Sequence, residues 1–294
     1  MTGVTIESTG YSAWEDCLRV SNDAIELVVT VGLGPRILHC GFADGENLLY
    51  TDEDREPMLD DYVLHGGHRL WHSPEDADRT YVPDHGPVQW TGTDHGVRLV
   101  QDTEESTGIQ KTMSLELAED EPVVEVTHEL TNEGVWTVDL APWAITVMDA
   151  GGTAVVPISQ GDPESLLPDR SLSLWPYTDL SDPRIDFPGE AVLVDQTEDA
   201  EGPLKIGASG ADEWAAYVLD GTALVKEFAF DPEATYPDGG SGVEVYASAE
   251  SLELETLGPL TDLAPGESAV HTETWRLVDG VESASVAGLS DAME

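Results

Sequence analysis

The sequence predicts an all-β protein, a large antiparallel β-sandwich. Short runs in which apolar and polar residues alternate recur along the 294 residues, and Gly, Pro, Asp and Asn separate these runs. Almost no segment has the period of a helix, and only residues 281–293 are a candidate for a short one. Because alternation gives each strand one apolar face, two sheets are expected to cover each other.

The predicted strands begin with hairpins. Residues 24–31 and 36–42 are joined by the turn Gly-Leu-Gly-Pro at 32–35, and residues 123–131 turn through Asn-Glu-Gly into 136–140. The remaining predicted strands are 97–102, 111–117, 191–195, 214–219, 223–230, 242–247, 252–257 and 269–278.

Two long segments, 58–89 and 160–189, interrupt the alternation. Both are rich in Pro, Gly, Asp and Arg, with Trp and Tyr among them. Long loops on a rigid sheet scaffold commonly carry function, so these segments are the first places to look for a site. No linker divides the chain, which predicts one domain over residues 1–294.

The charge balance excludes some classes of partner. The chain has 59 acidic and 12 basic residues, for a formal net charge of −47. Binding nucleic acid through a basic patch and docking on anionic membranes both need clustered cations, so neither is expected. The acids are spread along a chain that is 40% hydrophobic, which predicts a folded protein whose self-repulsion is screened by a salt-rich cytoplasm, as in an extreme halophile.

The cellular location is predicted from features that the sequence lacks. No N-terminal stretch resembles a signal peptide, and no apolar run approaches the roughly 20 residues of a membrane helix. Two cysteines, Cys17 and Cys40, do not make a disulfide framework. We therefore expect a cytoplasmic protein.

The densest cluster of polar and aromatic residues is His-Gly-Gly-His-Arg-Leu-Trp-His-Ser-Pro-Glu at 65–75. Arg69 offers a planar fork of donors for hydroxyl or carboxylate oxygens, and Trp71 offers a flat face for a sugar ring. The spacing of His65, His68 and His72 would suit a metal on a helix, but the glycines and the proline disfavour a helix, so no metal is expected. The alternative is a surface turn anchored by a buried Trp.

Residues 252–257 form the second candidate. In a strand, Glu253 and Glu255 share one face, while Leu252, Leu254 and Thr256 share the other. The carboxylates then point out of the sandwich. They are candidate catalytic groups or simply solvated acids.

Two further candidates are weaker. Lys226 lies within the predicted strand 223–230 of a chain with only three lysines, and its charge is either functional or paired with an acid on a neighbouring strand. The loop around Trp175 and Arg184 supplies an aromatic face and a cation at a predicted rim, or packs onto a sheet edge.

Several motifs, taken in order, resemble the galactose-mutarotase-like superfamily, which contains the aldose 1-epimerases. Gly-Pro-Arg-Ile-Leu at 34–38 followed by Gly-Glu-Asn-Leu-Leu at 45–49 resembles the family's opening. Gly-Gly at 66–67 resembles its pocket-lining segment, and Leu-Thr-Asn at 130–132 its hairpin. The most specific likeness is the ending, in which Leu-Glu-Thr at 254–256 precedes Leu-Ala-Pro-Gly-Glu and a His-to-Trp strand.

The resemblance implies a β-supersandwich that binds a small-molecule carbohydrate in the groove of its concave sheet, without a cofactor. It implies that Glu255 is a general base that deprotonates the anomeric hydroxyl while an acid protonates the ring oxygen. The family's acid is a histidine in an Asn-His-x-Tyr-Phe string, where this chain reads Leu-Ala-Pro-Trp-Ala-Ile-Thr at 140–146. We therefore expect His68 or His72 to supply the acid from the Gly-Gly segment.

Three functions remain open at this stage. The first is an aldose 1-epimerase-like enzyme using Glu255. The second is a non-catalytic carbohydrate-binding protein whose platforms and donor are Trp71, Tyr81, Trp143, Trp175 and Arg69. The third is an isomerase or lyase that holds an anionic sugar through Arg69, Arg184 and Lys226; it requires these three cations to share one groove.

Overall fold

Two large antiparallel sheets form the framework of the computed structural model, which describes residues 3–58, 61–158, 161–162, 164–210 and 212–293. In chain order the strands are β1 Thr5–Tyr11, β2 Trp14–Ser21, β3 Ile25–Thr30, β4 Ile37–Phe42, β5 His68–Ser73, β6 Gln89–Gly92, β7 Gly96–Val100, β8 Ile109–Leu117, β9 Val123–Asn132, β10 Val138–Met148, β11 Thr153–Pro157, β12 Leu172–Leu174, β13 Ile185–Asp186, β14 Ala191–Asp195, β15 Leu204–Ala208, β16 Trp214–Leu219, β17 Thr222–Phe228, β18 Val243–Ala247, β19 Leu252–Leu257, β20 Thr261–Leu263 and β21 Ser268–Val278. A short helix, α1 Val286–Met293, follows them.

Within these described residues, sheet I has the strand order β1-β2-β3-β4-β5-β10-β19-β18-β15-β12, with β20 also paired to β10. Sheet II has the order β13-β14-β11-β16-β17-β21-β9-β8-β7-β6. The predicted antiparallel sandwich is confirmed.

The core lies between the two sheets. Alternate residues of sheet I, such as Leu252 and Leu254 of β19, pack against alternate residues of sheet II, such as Leu224 and Phe228 of β17. The other face of sheet I is turned away from this core. Because side chains alternate along a strand, that outer face receives the residues between the core positions.

The two segments predicted as loops contain short strands. β5 begins directly after Gly66 and Gly67, and β12 and β13 lie within 160–189. Gly66 and Gly67 have φ of +77° and +66°, and a side chain there would collide with the backbone of Tyr50 or Ile37. The glycines therefore make a sharp turn into a strand. Residues 59, 60, 160 and 163 of these segments lie outside the described residues.

Over the part of the chain that the structure describes, no helix is both long enough and apolar enough to cross a bilayer.

Candidate functional site

A pocket of about 290 Å³ opens on the outer face of sheet I, above its central strands β5, β10 and β19. Pairing places Trp143 of β10 opposite Trp71 of β5, and Ile145 of β10 opposite both Arg69 and Glu255. Directly paired residues share a face, so these side chains converge on the outer side of sheet I. Six aromatic side chains line the pocket, namely Tyr50, Trp71, Tyr81, Trp143, Tyr177 and Tyr246.

Glu255 lies at the floor of this pocket and is fully buried. Its Oε2 accepts hydrogen bonds from Trp143 Nε1 at 2.6 Å and from Lys205 Nζ at 2.8 Å. Its Oε1 has no hydrogen-bond partner among the described residues. Burial raises the pKa of Glu255, and the Lys205 ammonium opposes that rise. The carboxylate thus has one anchored oxygen and one oxygen left to accept a proton.

Lys205 of β15 joins Glu255 to a second buried carboxylate. Its Nζ lies 2.7 Å from Glu244 Oε2 and 4.7 Å from the ring centroids of both Trp143 and Trp175. Burial alone would lower the pKa of Lys205, but the two carboxylates outweigh it and raise this pKa. Burial raises the pKa of Glu244 well above its ordinary value. Glu255, Lys205 and Glu244 thus form a buried Glu-Lys-Glu cluster beside two indole rings, and Glu255 and Lys205 of this cluster line the pocket.

The wall beside Glu255 is built from Arg69 and Trp71. The guanidinium of Arg69 lies over the Trp71 ring, 4.3 Å from its centroid, and its Nη2 donates to Glu253 Oε1 at 3.2 Å. Its Nε and Nη1 are buried and have no hydrogen-bond partner within the described part of the chain. Tyr62 Oη accepts the Trp71 indole N–H at 3.0 Å and thereby fixes the ring. The wall offers unused donors beside a held aromatic face.

His68 and His72 do not reach the pocket, which corrects the expectation that one of them supplies the acid. Because Arg69 and Trp71 take the outer face of β5, the alternate residues His68 and His72 must face the core. Both are fully buried there. Burial lowers the pKa of His68 and lowers that of His72 to about 3, so both imidazoles are neutral.

His68 belongs to a hydrogen-bonded network between the sheets. His128 Nδ1 lies 3.1 Å from a backbone carbonyl, that of His271, and so carries the proton. His68 Nε2 then donates to His128 Nε2 at 2.7 Å, while Thr146 Oγ1 donates to His68 Nδ1 at 2.9 Å. Ligand atoms of His68, His128 and Glu273 lie within 4.8 Å of one another, but these bonds already use the histidine nitrogens. The cluster holds the two sheets together.

Lys226 lies in this core network as well. Its Nζ contacts Glu273 Oε1 at 2.6 Å, Thr146 Oγ1 at 3.0 Å and the carbonyl oxygen of Leu254 at 3.2 Å. Glu273 is on β21, the strand beside β17. The structure therefore favours the alternative in which Lys226 pairs with an acid on a neighbouring strand.

Neither Arg184 nor Trp175 is among the described residues that line the pocket. Arg184 is bound by Asp182 at 2.8 Å and by the carbonyl oxygen of Gly202 at 2.7 Å, and it does not line the pocket. Trp175 is half-buried and covers Lys205. Since Arg69, Arg184 and Lys226 occupy three separate surroundings, the requirement of the anionic-sugar hypothesis is not met.

Sequence reasoning missed Lys205 and Glu244. The signal for Lys205 was the same as the one for Lys226, a lysine inside an apolar run of a chain with only three lysines. Glu244 lies between Val243 and Val245, both core residues, so alternation also marks it as outward-facing. Their contact depends on pairing among β15, β18 and β19, which no local pattern encodes.

Comparison with models of known protein families finds no match, and comparison with curated proteins finds none. Solved structures do match. An Escherichia coli K12 protein, provisionally described as an aldose 1-epimerase, has a TM-score of 0.59 at 14% identity over 94% of this chain and 100% of its own. A galactose mutarotase-like protein from Lactobacillus casei has a TM-score of 0.58 at 12% identity, over 89% of this chain and 99% of its own. A galactose mutarotase-like protein from Clostridium acetobutylicum has a TM-score of 0.56 at 13% identity, over 95% of this chain and 100% of its own.

The chain therefore has the galactose mutarotase-like fold, as its motifs implied. At these identities the likeness establishes the architecture, while the chemistry must be argued from the pocket.

Proposed function

We propose that this protein binds a neutral aldose in the pocket of sheet I and interconverts its anomers, with Glu255 as the general base. The observation that carries the proposal is the position of Glu255. It is a buried carboxylate on the floor of an aromatic-lined pocket, with Oε2 anchored and Oε1 unengaged. The likeness to mutarotase-like proteins supports the same class of substrate.

The charges of the pocket favour an uncharged sugar. Among the described residues that line it, the cations are Arg55, Arg69 and Lys205, and each already contacts a glutamate. Arg55 pairs with Glu250 at 2.6 Å, and Arg69 pairs with Glu253 at 3.2 Å. Lys205 pairs with both Glu244 and Glu255. Four glutamates also line the pocket, so a phosphate or carboxylate would add to an excess of negative charge in a protein of net charge −47. Hydroxyl groups can instead use the free donors of Arg69 and the free acceptor of Glu255.

The chemistry needs a base at the anomeric hydroxyl. Glu255 takes that proton, the ring oxygen takes a proton as its bond to C1 breaks, and the open-chain aldehyde rotates about the C1–C2 bond before it closes again. Trp71 and Trp143, whose ring centroids are 5.4 Å apart, offer apolar surface to the C–H faces of the sugar. A positioned base contributes about 10² to 10⁴-fold to such a step.

A second candidate function is carbohydrate binding without turnover. It is favoured by one observation: no imidazole is found among the described residues that line the pocket. The pocket would then use the same aromatic faces and the same Arg69 donors, and Glu255 would only accept a hydrogen bond.

One experiment separates the two functions. Anomer exchange is followed by NMR saturation transfer on neutral pentoses and hexoses and on their phosphates, in molar potassium chloride, with sugar binding followed by tryptophan fluorescence. The variant Glu255→Gln keeps the shape of the floor and removes the base. The exposed Glu227 of β17, on sheet II, gives the matched control Glu227→Gln.

The proposal expects exchange by the wild-type protein and by Glu227→Gln, with a loss of at least about 10²-fold for Glu255→Gln. Binding without exchange would establish the second candidate. Failure of every neutral sugar to bind would refute both functions.

A further inference from the structure

We propose that Lys205 is the general acid of this site and that Glu244 positions it and returns its proton. The inference rests on the proposed function and deepens it, because it names a proton donor where no histidine is available. It is drawn from the buried Glu-Lys-Glu cluster.

The ammonium group of Lys205 has an N–H donor left for a ligand. Lys205 Nζ has three N–H donors; one donates to Glu255 Oε2 at 2.8 Å, and the ammonium also forms an ion pair with Glu244 Oε2 at 2.7 Å. Besides the two indole rings, no further hydrogen-bond or ion-pair partner of Nζ occurs among the described residues, and Lys205 lines the pocket. A ligand oxygen can therefore take the third N–H beside the free Oε1 of Glu255. The acid and the base lie side by side, which suits the two oxygens bonded to one anomeric carbon.

The charges of the Glu-Lys-Glu cluster indicate that it holds one additional proton. Glu244 and Glu255 are fully buried, and Lys205 is their shared cation. Two carboxylates and one ammonium leave a net negative charge in a site nearly closed to water, which is costly unless the cluster also holds a proton. Among the residues that the structure describes, Glu244 has no partner besides Lys205, so the proton is best held there.

The proton transfers between the cluster and the sugar balance over the reaction. Glu255 Oε1 takes the proton of the anomeric hydroxyl, and the electrons of that O–H bond form the aldehyde C=O. The C1–oxygen bond of the ring breaks, and its electron pair takes a proton from Lys205 Nζ. The carboxyl group of Glu244 returns a proton to Nζ, so no free amine accumulates. Ring closure reverses each transfer, and the cluster ends with the charge it began with.

Glu244 explains how a lysine held between carboxylates can act as an acid. Its ammonium alone would be too weak an acid, because the negative charge of Glu255 stabilises the protonated form and raises the pKa of Lys205. A neighbouring carboxyl group that donates a proton to the amine in the same step removes this difficulty. The other donor to Glu255, the indole N–H of Trp143, cannot release its proton.

The test uses Lys205→Met, Glu244→Gln and Lys205→Cys, the last before and after alkylation with 2-bromoethylamine, which rebuilds an amine through a thioether. The native Cys17 and Cys40 are buried, and burial raises their pKa to about 11 and about 12, so they do not compete for the reagent. Lys111→Met is the matched control, since Lys111 is a buried lysine paired with Glu104 at 2.6 Å outside the pocket.

We expect Lys205→Met to reduce anomer exchange by at least about 10²-fold per folded molecule, with sugar binding retained and Lys111→Met unaffected. Alkylation of Lys205→Cys should restore exchange, with a pH–rate profile shifted toward acid because a thioether lowers the pKa of the amine. Glu244→Gln should slow exchange and change the pH profile.

Wild-type exchange that survives in Lys205→Met, or in unalkylated Lys205→Cys, overturns this inference and leaves the proposed function intact. Absence of exchange in the wild-type protein overturns both. If Lys205→Met does not fold, the comparison of alkylated with unalkylated Lys205→Cys, together with Glu244→Gln, decides the matter.

Discussion

The indole N–H of Trp143 points at the carboxylate of Glu255 across 2.6 Å, and the two residues are diagonal neighbours on paired strands β10 and β19. One side chain therefore serves as a wall of the pocket and as an anchor of the candidate base. The bond also helps to lower the pKa of Glu255 against the effect of burial.

Trp143→Phe keeps an aromatic ring, smaller than the indole, and removes this hydrogen bond. The pKa of Glu255 should rise, and since the base acts only when ionised, the acid limb of the pH–rate profile should move to higher pH. A bond to a charged group contributes about 1.5–3 kcal/mol, which corresponds to a shift of about one pH unit or more. Trp136→Phe, at an 80% exposed site, is the control. An unmoved limb would contradict the anchoring role.

Arg69→Met tests the donors of the pocket wall. Methionine can still pack on Trp71, but it cannot donate to sugar hydroxyls, so the Kd for the best neutral sugar should rise about tenfold, equivalent to about 1.4 kcal/mol. Fluorescence titration in molar salt measures it. Arg98→Met removes an exposed pair with Glu129 on sheet II and should leave the Kd unchanged. Equal affinities for both variants would contradict the proposed role of Arg69.

Lys226→Met tests the network between the sheets. It leaves Glu273 buried and unpaired, and loss of one partner of a buried ion pair costs about 3–5 kcal/mol of unfolding free energy. Adding Glu273→Gln removes the stranded charge and should recover part of that loss. Urea unfolding at constant high salt measures both variants. A double variant less stable than the single one would show that the charge was not the cause.

The buried histidines predict loss of stability in acid. The pKa of His72 is about 3 in the folded protein against 6.5 for an unperturbed histidine, so between these values the unfolded chain binds more protons. His72 thus contributes stability that is complete above about pH 6.5 and is lost as the pH falls toward 3. His72→Leu should flatten the decline of Tm between pH 7 and pH 5. Parallel Tm curves for the two proteins would argue against this.

The net charge of −47 predicts salt-dependent stability. Screening of like charges should raise Tm steeply in dilute potassium chloride and level off near about 1 M, where the Debye length is about 3 Å. Thermal unfolding over a series of salt concentrations measures this. A Tm that climbs steadily only at higher salt would indicate preferential exclusion of the salt instead of screening.

The sequence predicted the sandwich and the two faces of β19 because alternation is a local property. Leu252 and Leu254 are in the core, and Glu253 and Glu255 are on the opposite face, as their spacing indicated; that this face carries a pocket was not indicated by the spacing. The same rule applied to 68–72 would have turned His68 and His72 inward. Treating the paired glycines as the start of a loop concealed the strand that follows them.

The rest of the site depends on contacts between distant residues. Lys205 meets Glu255 only because β15, β18 and β19 are neighbours, and Trp175 reaches Lys205 from a loop predicted only as a rim. The choice between Lys205 and Lys226 as the pocket lysine likewise required the assignment of their strands to different sheets.

The two faces of β19 limit how this gene can change in length. Loss or gain of a single codon within 252–257 would rotate every later side chain of the strand to the opposite face, exchanging Glu255 and Thr256 between pocket and core. The exposed stretch around Leu166 and Leu167 carries no such constraint. Insertions and deletions among descendants of this sequence should therefore accumulate in the latter stretch and be purged from the former.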